Sequence, residues 1–296
     1  MSSNKRFGGS SSRFSSKSKK NDYEAKPTYK RAPSGVNKAG FAKKSQDVEK
    51  FLKGGRVVVG HHAIKEVYKV HSFGVRLLLL RTGYESSKDL KEIFDLHESV
   101  EEGVVQIIDE SAMEAQFGRN QGAVLIADQL PEFEYQSVMN DDEAIILALD
   151  GVEDPQNLGA IIRTCWLMGV KGILIPKERS VGLTSTVHKV ASGGAEHVLI
   201  GYYNQFGPVF DELKQVGFWA YGLSHLGKSN IYEQKFPKKI IFALGGEDSG
   251  LRTTTEKACD ELVKIPQIDS EASYNVSVAA AIALTEGFRQ IHFKKN

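Results

Sequence analysis

The chain has 296 residues, and its 38 lysines and arginines nearly balance 37 aspartates and glutamates, giving a net charge of +1. Its two cysteines, Cys165 and Cys259, are too few for a disulfide framework and do not indicate a metal site. No apolar run reaches the ~18 residues that a membrane-spanning helix requires. We therefore expect no metal and no membrane insertion.

Residues 1–54 are predicted to form a disordered basic tail. Residues 1–55 contain 14 lysines and arginines but only 4 acidic residues, and no leucine or isoleucine precedes Leu52. Such a segment cannot bury enough apolar surface to offset the entropy of ordering. It is either an arm that binds nucleic-acid phosphates or a solubilising segment without a partner. Because it lacks the apolar core of a secretory signal, and lysine outnumbers arginine, we expect a cytoplasmic protein.

A small α/β domain is predicted for residues 55–130. It opens with a β-branched strand, a glycine turn and a helix that carries Ala63, Val67 and Val70 near one face. Further strands are predicted at 76–82, 104–108 and 123–128, and helices at 88–100 and 111–117. Ser111 is the expected N-cap of the second of these helices and Gly118 its end. Strands and helices that alternate in this way are typical of an α/β domain.

Residues 131–143 lack an apolar period and carry proline and acidic residues, so we interpret them as a linker. A second α/β domain follows over residues 144–296. Its strands are predicted at 144–150, 172–176, 218–223, 239–245 and 261–266, and its helices at 157–168, 185–194, 205–216, 253–259 and 275–291. This alternation predicts a parallel sheet covered on both faces.

Three segments follow predicted strand ends, where parallel sheets bind ligands. They are DPQNLGAIIRTCWLMGV (154–170), FALGGEDSGL (242–251) and IPQIDSEASYNVSVAAAIALTE (265–286). The chain has no GxG pair, P-loop, HExxH or GxSxG motif. Kinases, NAD enzymes, zincins and α/β-hydrolases are therefore excluded.

In the first segment, Asn157 and Arg163 lie near the start of a predicted helix, and Gly159 would allow a ligand to approach closely. A helix N-terminus favours a phosphate or carboxylate, and an arginine can bind a phosphate through two parallel hydrogen bonds. Pro155 fits helix initiation. The alternative is that Asn157 only caps the helix and Arg163 forms a surface salt bridge.

The other two segments supply a carboxylate, a hydroxyl and an amide. Glu247 lies among glycines that would let the backbone reach a ligand, and it is predicted to pair with Arg163 or Asn157. Ser273 and Asn275 could orient a hydroxyl group of a substrate. The alanine-rich helix that follows predicts close packing, although high helix propensity alone could explain its composition.

In this order and spacing, the three segments resemble the motifs of the SpoU/TrmH-type RNA 2′-O-ribose methyltransferases of the SPOUT superfamily. The matching residues are Asn157, Gly159, Arg163, Thr164, Gly245, Glu247, Gly250, Ile265, Pro266, Ser273, Asn275, Ser277 and Ala279. GHHAIKEVY and NQGAVLIA resemble the ends of the L30e-like domain that precedes many such catalytic domains. The resemblance covers residues 56–296. It implies a deep trefoil-knotted parallel-sheet domain, S-adenosylmethionine as cofactor, an RNA substrate and a homodimer.

The resemblance also implies roles for individual residues. Arg163 would clamp a phosphate and activate the ribose hydroxyl, with the other catalytic positions holding it and the ribose. The implied catalytic set is Arg163, Asn157, Glu247, Ser273 and Asn275, and the implied cofactor-binding set is Gly245, Ile265 and Tyr274. The sequence departs from the family where Gln267-Ile268-Asp269 replaces Met-Gly and where Tyr274 replaces leucine.

A further segment, HKVASGGAEHV (188–198), resembles the family's Ala-Ser-x-Gly-Ala stretch, and we assign it to helix packing with a possible RNA contact. Its His188 and His197 are interpreted as structural or surface groups, as are His61 and His62.

The additional L30e-like domain favours ribosomal RNA over transfer RNA as the substrate. Three alternatives stay open: a tRNA 2′-O-methyltransferase, a base methyltransferase of the same superfamily, and an RNA-binding protein that has lost catalysis.

Overall fold

The computed structural model describes residues 48–100, 103–246, 250–268 and 272–293. All of them fall within one of the two units into which the chain divides, Val36–Asn296, and the other unit, Met1–Gly35, lies outside the described residues. Most of the predicted tail, together with Glu247 and Asp269, also lies outside them.

Helices and strands alternate along the described residues. The helices are α1 Val48–Leu52, α2 His61–Val70, α3 Lys88–Glu98, α4 Glu110–Phe117, α5 Pro155–Leu167, α6 Ser185–Ala191, α7 Gly207–Gln215, α8 Thr253–Ala258 and α9 Val276–His292. The strands are β1 Gly55–Val59, β2 Val75–Arg81, β3 Val104–Ile108, β4 Ala123–Asp128, β5 Ala144–Asp150, β6 Gly172–Pro176, β7 Ile200–Tyr203, β8 Trp219–Leu223, β9 Ser229–Asn230, β10 Lys239–Gly245 and β11 Glu261–Lys264. None of the helices among these residues is long and apolar enough to cross a bilayer.

The first four strands form a mixed sheet in the order β1-β4-β2-β3. β4 runs antiparallel to both of its neighbours, whereas β2 and β3 are parallel. Alternate side chains of β2 enter two separate cores: Leu78 and Leu80 pack under α2 and α3, and Leu77 and Leu79 pack with Met113 of α4. This two-sided burial explains the continuous apolar run of β2.

Three predictions for this part of the chain need correction. α4 is capped by Asp109, whose carboxylate accepts from the backbone N of Ser111 at 2.9 Å, so Ser111 is not the N-cap. Val70 is 38% exposed and does not share the buried face of α2. Order begins no later than Val48, because α1 lies inside the predicted tail and Val48 is buried against the sheet.

The segment predicted as a linker is packed. Phe133, Tyr135 and Val138 are all buried in one core with β5 and α7. The backbone N of Phe133 donates to the carbonyl of Ile200 at 3.0 Å, and the hydroxyl of Tyr135 donates to Glu212 at 2.8 Å. Residues 131–143 therefore extend the core that β5 and α7 form.

The second sheet has seven parallel strands in the order β7-β6-β5-β10-β8-β11-β9. One core lies on the face covered by α5, α6 and α9, and the other on the face covered by α7 and residues 133–138. The predicted α/β fold with a parallel sheet is confirmed. β5 and β10 are central, and their last residues, Asp150 and Gly245, are paired in register. The three motif segments leave the sheet at this carboxyl edge.

Candidate functional site

Helix α5 starts two residues earlier than predicted because Asp154 is its cap. The Asp154 carboxylate accepts from the backbone N of Gln156 at 2.8 Å, and Pro155 occupies the first helical turn. Both are favoured at these positions, since the cap satisfies an unpaired amide and proline has no amide to satisfy. Asn157 is not the cap. It lies in the first turn with 7% exposure, so its side chain is held inside the protein.

The first and third motif segments meet at Asn157 and Asn275. The Nδ2 of Asn275 donates to Oδ1 of Asn157 at 3.0 Å. Asn275 is also the N-cap of α9, where its Oδ1 accepts from the backbone N of Ser277 at 2.9 Å and from its hydroxyl at 2.6 Å. One side chain thus caps α9 and ties it to the first turn of α5. The positive ends of both helix dipoles are placed at the same edge of the sheet.

The second motif segment turns back on itself directly after β10. The backbone N of Gly246 donates to the carbonyl of Asp150 at 3.0 Å, and the N of Gly250 donates to Gly246 at 3.0 Å. A Cβ placed on Gly245 would lie 1.8 Å from the carbonyl carbon of Gly250, so no other residue fits at Gly245. Gly250 has a φ of 62°, which favours glycine. This edge of the site is therefore built from backbone.

Asp150 and Arg252 anchor this turn, and the sequence interpretation missed both. Asp150 is 1% exposed, and its carboxylate accepts from the backbone N of Arg252 at 3.0 Å and from the Arg252 guanidinium. A charge-assisted pair of this kind fixes where the chain leaves the turn. The available signal was an aspartate at the end of the otherwise apolar strand AIILALD.

Arg163 lies on the exposed surface of α5. Its backbone is tightly packed, because a Cβ on Gly194 would lie only 3.2 Å from the Arg163 Cα. Gly159, one turn earlier, does not serve ligand approach as predicted. A Cβ there would lie 2.6 Å from Cβ of Val190, so the glycine lets α6 pack against α5.

The predicted cofactor-binding positions of the third segment lie on irregular chain after β11. The hydroxyl of Tyr274 donates to the carbonyl of Pro266 at 3.1 Å, and Nε2 of Gln267 donates to the carbonyl of Ala272 at 2.7 Å. Both bonds join the two sides of the 269–271 segment. Ile265 packs against the α9 side of the core, whereas Ser273 and Tyr274 are exposed. Glu247 lies outside the described residues, so its predicted pairing with Arg163 or Asn157 stays a prediction.

The histidines of residues 188–198, His188 and His197, are structural or surface groups, as predicted. His188 is 1% exposed, and burial lowers its pKa to about 3. His197 stacks on Trp166 with ring centroids 4.3 Å apart, and its Nε2 lies 3.0 Å from Glu66 Oε2. Among the residues that the structure describes, no group of three or more His, Cys, Asp or Glu side chains is arranged to hold a metal ion.

Comparison with known proteins identifies relatives of this chain. The model of the SpoU rRNA Methylase family matches residues 144–285. The 23S rRNA (guanosine-2′-O-)-methyltransferase RlmB of Nitrosomonas europaea is 32% identical over 241 residues, which is 79% of this chain and 91% of the relative. RlmB of Vibrio cholerae is 35% identical over 202 residues, covering 68% of this chain and 82% of the relative.

Solved structures show the same fold. The SpoU methyltransferase AviRb from Streptomyces viridochromogenes, in complex with AdoMet, aligns with a TM-score of 0.71 at 20% identity, covering 86% of this chain and 96% of that one. A putative TrmH-family RNA methyltransferase from Porphyromonas gingivalis aligns with a TM-score of 0.69 at 22% identity, covering 84% of this chain and 100% of that one.

Proposed function

This chain belongs to the SpoU rRNA methylase family, and on that premise we propose that it transfers a methyl group from S-adenosylmethionine to a ribose 2′-hydroxyl of ribosomal RNA. The observation that carries the proposal is the hydrogen bond between Asn275 and Asn157, which joins two of the three motif segments at the carboxyl edge of the sheet. Ribosomal RNA is favoured over transfer RNA because the RlmB similarity extends over 79% of the chain, beyond the matched family segment.

The site's backbone is suited to S-adenosylmethionine, which supplies an activated methyl group on a sulfonium. The backbone of Gly250 fills the space where Gly245 would carry a side chain, so this edge presents main-chain groups, and we propose that they hold the adenosine. Ile265 and Tyr274, which lie before and after residues 269–271, would also hold the cofactor through their backbone groups. Tyr274 is itself fixed by its bond to Pro266.

Arg163 would bind the RNA phosphate next to the target ribose. A guanidinium keeps its positive charge at neutral pH and can grip two phosphate oxygens. Its charge would also favour loss of the ribose hydroxyl proton to solvent as the oxygen bonds to the methyl carbon and the carbon–sulfur bond breaks, with its electron pair left on sulfur. Asn157, Asn275 and Ser273 would orient the ribose, and Glu247 would orient Arg163. Alignment of the reacting atoms in this way can lower a barrier by about 7–11 kcal/mol.

A second copy of the chain is the proposed occupant of a groove between α5 and α9. The groove has a volume of 440 Å³ and is lined mostly by small or apolar side chains, namely Ala160, Thr164, Tyr232, Ser277, Val278, Ala281, Ile282 and Thr285 with Glu286. Val278 is 45% exposed and the neighbouring Leu167 is 64% exposed. Two helices that both carry site residues would thus meet their twofold copies, the commonest closed arrangement.

A trefoil knot within residues 144–296 is proposed from family membership, since the matched family segment lies there. Residues 55–130 would form an L30e-like RNA-binding module, and the basic tail would add phosphate contacts in a cytoplasmic protein. Beyond Val48 toward the N-terminus, the tail lies outside the described residues.

The proposal is tested by incubating the protein with radiolabelled S-adenosylmethionine and unmodified 23S rRNA or tRNA transcripts. We expect label on rRNA and resistance to alkaline cleavage at one nucleotide. We also expect this mark to be absent from rRNA of cells that lack the protein. Label on tRNA alone would replace the substrate assignment. Tight RNA binding without transfer to any cellular RNA would favour the catalytically lapsed alternative.

A further inference from the structure

A turn of two glycines, Gly193 and Gly194, lies between α5 and residues 55–130, which we call the N-terminal module. Gly193 has a φ of 96°, and a Cβ placed there would lie 2.3 Å from Cγ of Glu66 on α2. A Cβ placed on Gly194 would lie 3.2 Å from the Arg163 Cα on α5. Consecutive residues of this turn therefore touch both modules, and any displacement of the turn must be felt at the backbone of Arg163.

A buried ion pair fixes the turn to the N-terminal module. Both terminal nitrogens of Arg56, on β1, donate to the two carboxylate oxygens of Glu196 at 2.6 Å. The Arg56 and Glu196 side chains are 3% and 1% exposed. The Nε of Arg56 also donates to the carbonyl of Asp128 at 2.8 Å, which fixes the plane of the guanidinium. This bidentate geometry allows one orientation of Glu196.

Two histidines complete the surroundings of the Glu196 carboxylate. His188 of α6 places Nδ1 at 3.6 Å from Oε1 of Glu196, and neither of its ring nitrogens has a hydrogen-bond partner among the described residues. His71 of the N-terminal module places Nε2 at 3.1 Å from the Glu196 carbonyl and 4.0 Å from Oε2. Burial lowers the pKa of both histidines, and the charge of Arg56 adds to this effect, whereas Glu196 opposes it at His71. Arg56 is thus the fixed positive charge of this cluster.

A second contact between the N-terminal module and α5 passes through His197, three residues after Gly194. Glu66 of α2 lies 3.0 Å from Nε2 of His197, and the His197 ring stacks on Trp166 of α5. Trp166 follows Arg163 by three residues and therefore lies on a neighbouring part of the helix surface. The N-terminal module thus contacts α5 through the turn at Arg163 and again at Trp166.

We propose that Arg56 is a positioning residue for Arg163: its ion pair with Glu196 holds the glycine turn against α5 and so couples the N-terminal module to the catalytic helix. The inference rests on the proposed function of Arg163. A buried ion pair adds little net stability compared with apolar packing, and a unique orientation is the property that it can supply. The pair therefore affects how well Arg163 is placed for the reaction.

The test compares Arg56→Met with a matched control, Arg81→Met. Arg81 lies on β2 of the same module and pairs with Glu110 of α4, away from the turn. At saturating rRNA and cofactor we expect kcat of Arg56→Met to fall about 10- to 100-fold, the effect of a misplacement of about 1 Å. Cofactor affinity and the kcat of Arg81→Met should stay at the wild-type level. A raised KM for RNA with an unchanged kcat would overturn the inference.

The pH profile separates positioning from general damage. Without Arg56, the titratable groups that face the Glu196 carboxylate among the described residues are His71 and His188, and Glu66 with His197 forms the adjacent pair. Loss of the Arg56 charge removes one cause of the lowered pKa of His71 and His188, and the Glu196 carboxylate then favours the charged form of the less buried His71. The kcat of Arg56→Met relative to wild type should therefore rise as the pH falls through the titration range of histidine. A constant ratio across this range would contradict the proposal.

A double variant covers the case in which Arg56→Met does not fold. Arg56→Met with Glu196→Gln removes both buried charges, so it should fold, keep the low kcat and show no recovery at acidic pH. A wild-type kcat in this variant would overturn the inference.

In a Trp219→Phe background, Trp166 is the sole tryptophan of the chain, and its fluorescence emission should rise when the His197 ring moves away from the Trp166 ring. This signal needs no methyl transfer, so an inactive wild-type protein would refute the proposed function while the turn is still tested.

Discussion

The side-chain amide of Asn275 donates to the side-chain oxygen of Asn157 at 3.0 Å, across 118 residues of sequence. Because Asn275 also caps α9, the bond fixes the starts of two helices relative to each other. Loss of this bond would let the two motif segments move independently without unfolding either helix. Asn275 therefore has two separable roles, in helix stability and in site geometry.

Substitution of Asn275 should separate these roles. Asn275→Ser keeps a good N-cap but is too short to reach Asn157, whereas Asn275→Ala loses both interactions. We expect methyl transfer to fall strongly in both variants, and the free energy of unfolding to fall by about 0.5–2 kcal/mol only in Asn275→Ala. Chemical denaturation and single-turnover transfer measure the two effects. Wild-type transfer by Asn275→Ser would mean that the amide pair has no part in catalysis.

Arg163→Ala should separate catalysis from cofactor binding. The substitution removes the guanidinium that we propose binds the phosphate, and it leaves the backbone at Gly245 and Tyr274 intact. Methyl transfer should fall by orders of magnitude, while calorimetric affinity for S-adenosylmethionine should barely change. Arg163→Lys should restore little, because an ammonium lacks the planar pair of donors. Lys257→Ala, which removes an exposed cation from α8, is the control and should be fully active.

The ion pair of Asp150 with Arg252 should stabilise the turn after Gly245, which we propose binds the cofactor. Asp150→Asn removes the buried charge and replaces one acceptor oxygen with an NH2 donor, so either the amide or the guanidinium of Arg252 loses its acceptor. We expect a loss of about 1–3 kcal/mol in the free energy of unfolding. Affinity for S-adenosylmethionine should fall as well, because the turn after Gly245 loses its anchor. Thermal unfolding with and without cofactor measures both. Asp141→Asn, which breaks a more exposed pair with Lys171, should cost under about 1 kcal/mol and leave affinity unchanged.

The predictions from sequence succeeded where the physical signal is local. The apolar runs of β5 and β10 predicted their bounds, and the acidic and proline residues before α5 marked its start within two residues. β7, with the sequence IGYY, has too few residues and too little alternation to be distinguished from a loop. The buried residues of 131–143 have no regular spacing, so the segment resembled a linker.

Contacts between distant residues could not be predicted from local patterns. The pairs Asp150–Arg252 and Arg56–Glu196 join residues 102 and 140 positions apart, and nothing in either local sequence names the partner. The family resemblance did identify Asn157 and Asn275 as parts of one site. It did not show that the two side chains bind each other, because that depends on the packing of α5 against α9.

A negative charge in the α5–α9 groove should dissociate the proposed dimer. Ile282→Glu places a carboxylate where the second copy would bury an apolar side chain, at a cost of several kcal/mol. Light scattering should give twice the chain mass of 32.7 kDa for wild type and the single-chain mass for the variant. Thr254→Glu on α8, away from the groove, should stay dimeric. A monomeric wild-type protein at micromolar concentration would refute the dimer itself.

Buried neutral histidines should make the fold sensitive to acid. Burial lowers the pKa of His97 to about 4 and of His188 to about 3, whereas both ionise near pH 6.5 when unfolded. The unfolded chain therefore binds more protons between these values, and stability must fall as the pH drops from about 6.5 toward 4. Each histidine contributes a slope of about 1.4 kcal/mol per pH unit in this window. Above pH 7 neither contributes, because both are neutral in both states.

His188→Leu should remove one of the two slopes. The leucine side chain also replaces two buried ring nitrogens that have no hydrogen-bond partner among the described residues. The variant should therefore be at least as stable as wild type at pH 7. At pH 5 it should be more stable than wild type by about 1–2 kcal/mol, since the proton uptake on unfolding is reduced by one group. Urea denaturation at pH 5, 6 and 7 measures the slopes, with the exposed His225→Gln as the control that should match wild type. Equal slopes in wild type and His188→Leu would mean that His188 is already protonated in the folded protein, paired with Glu196.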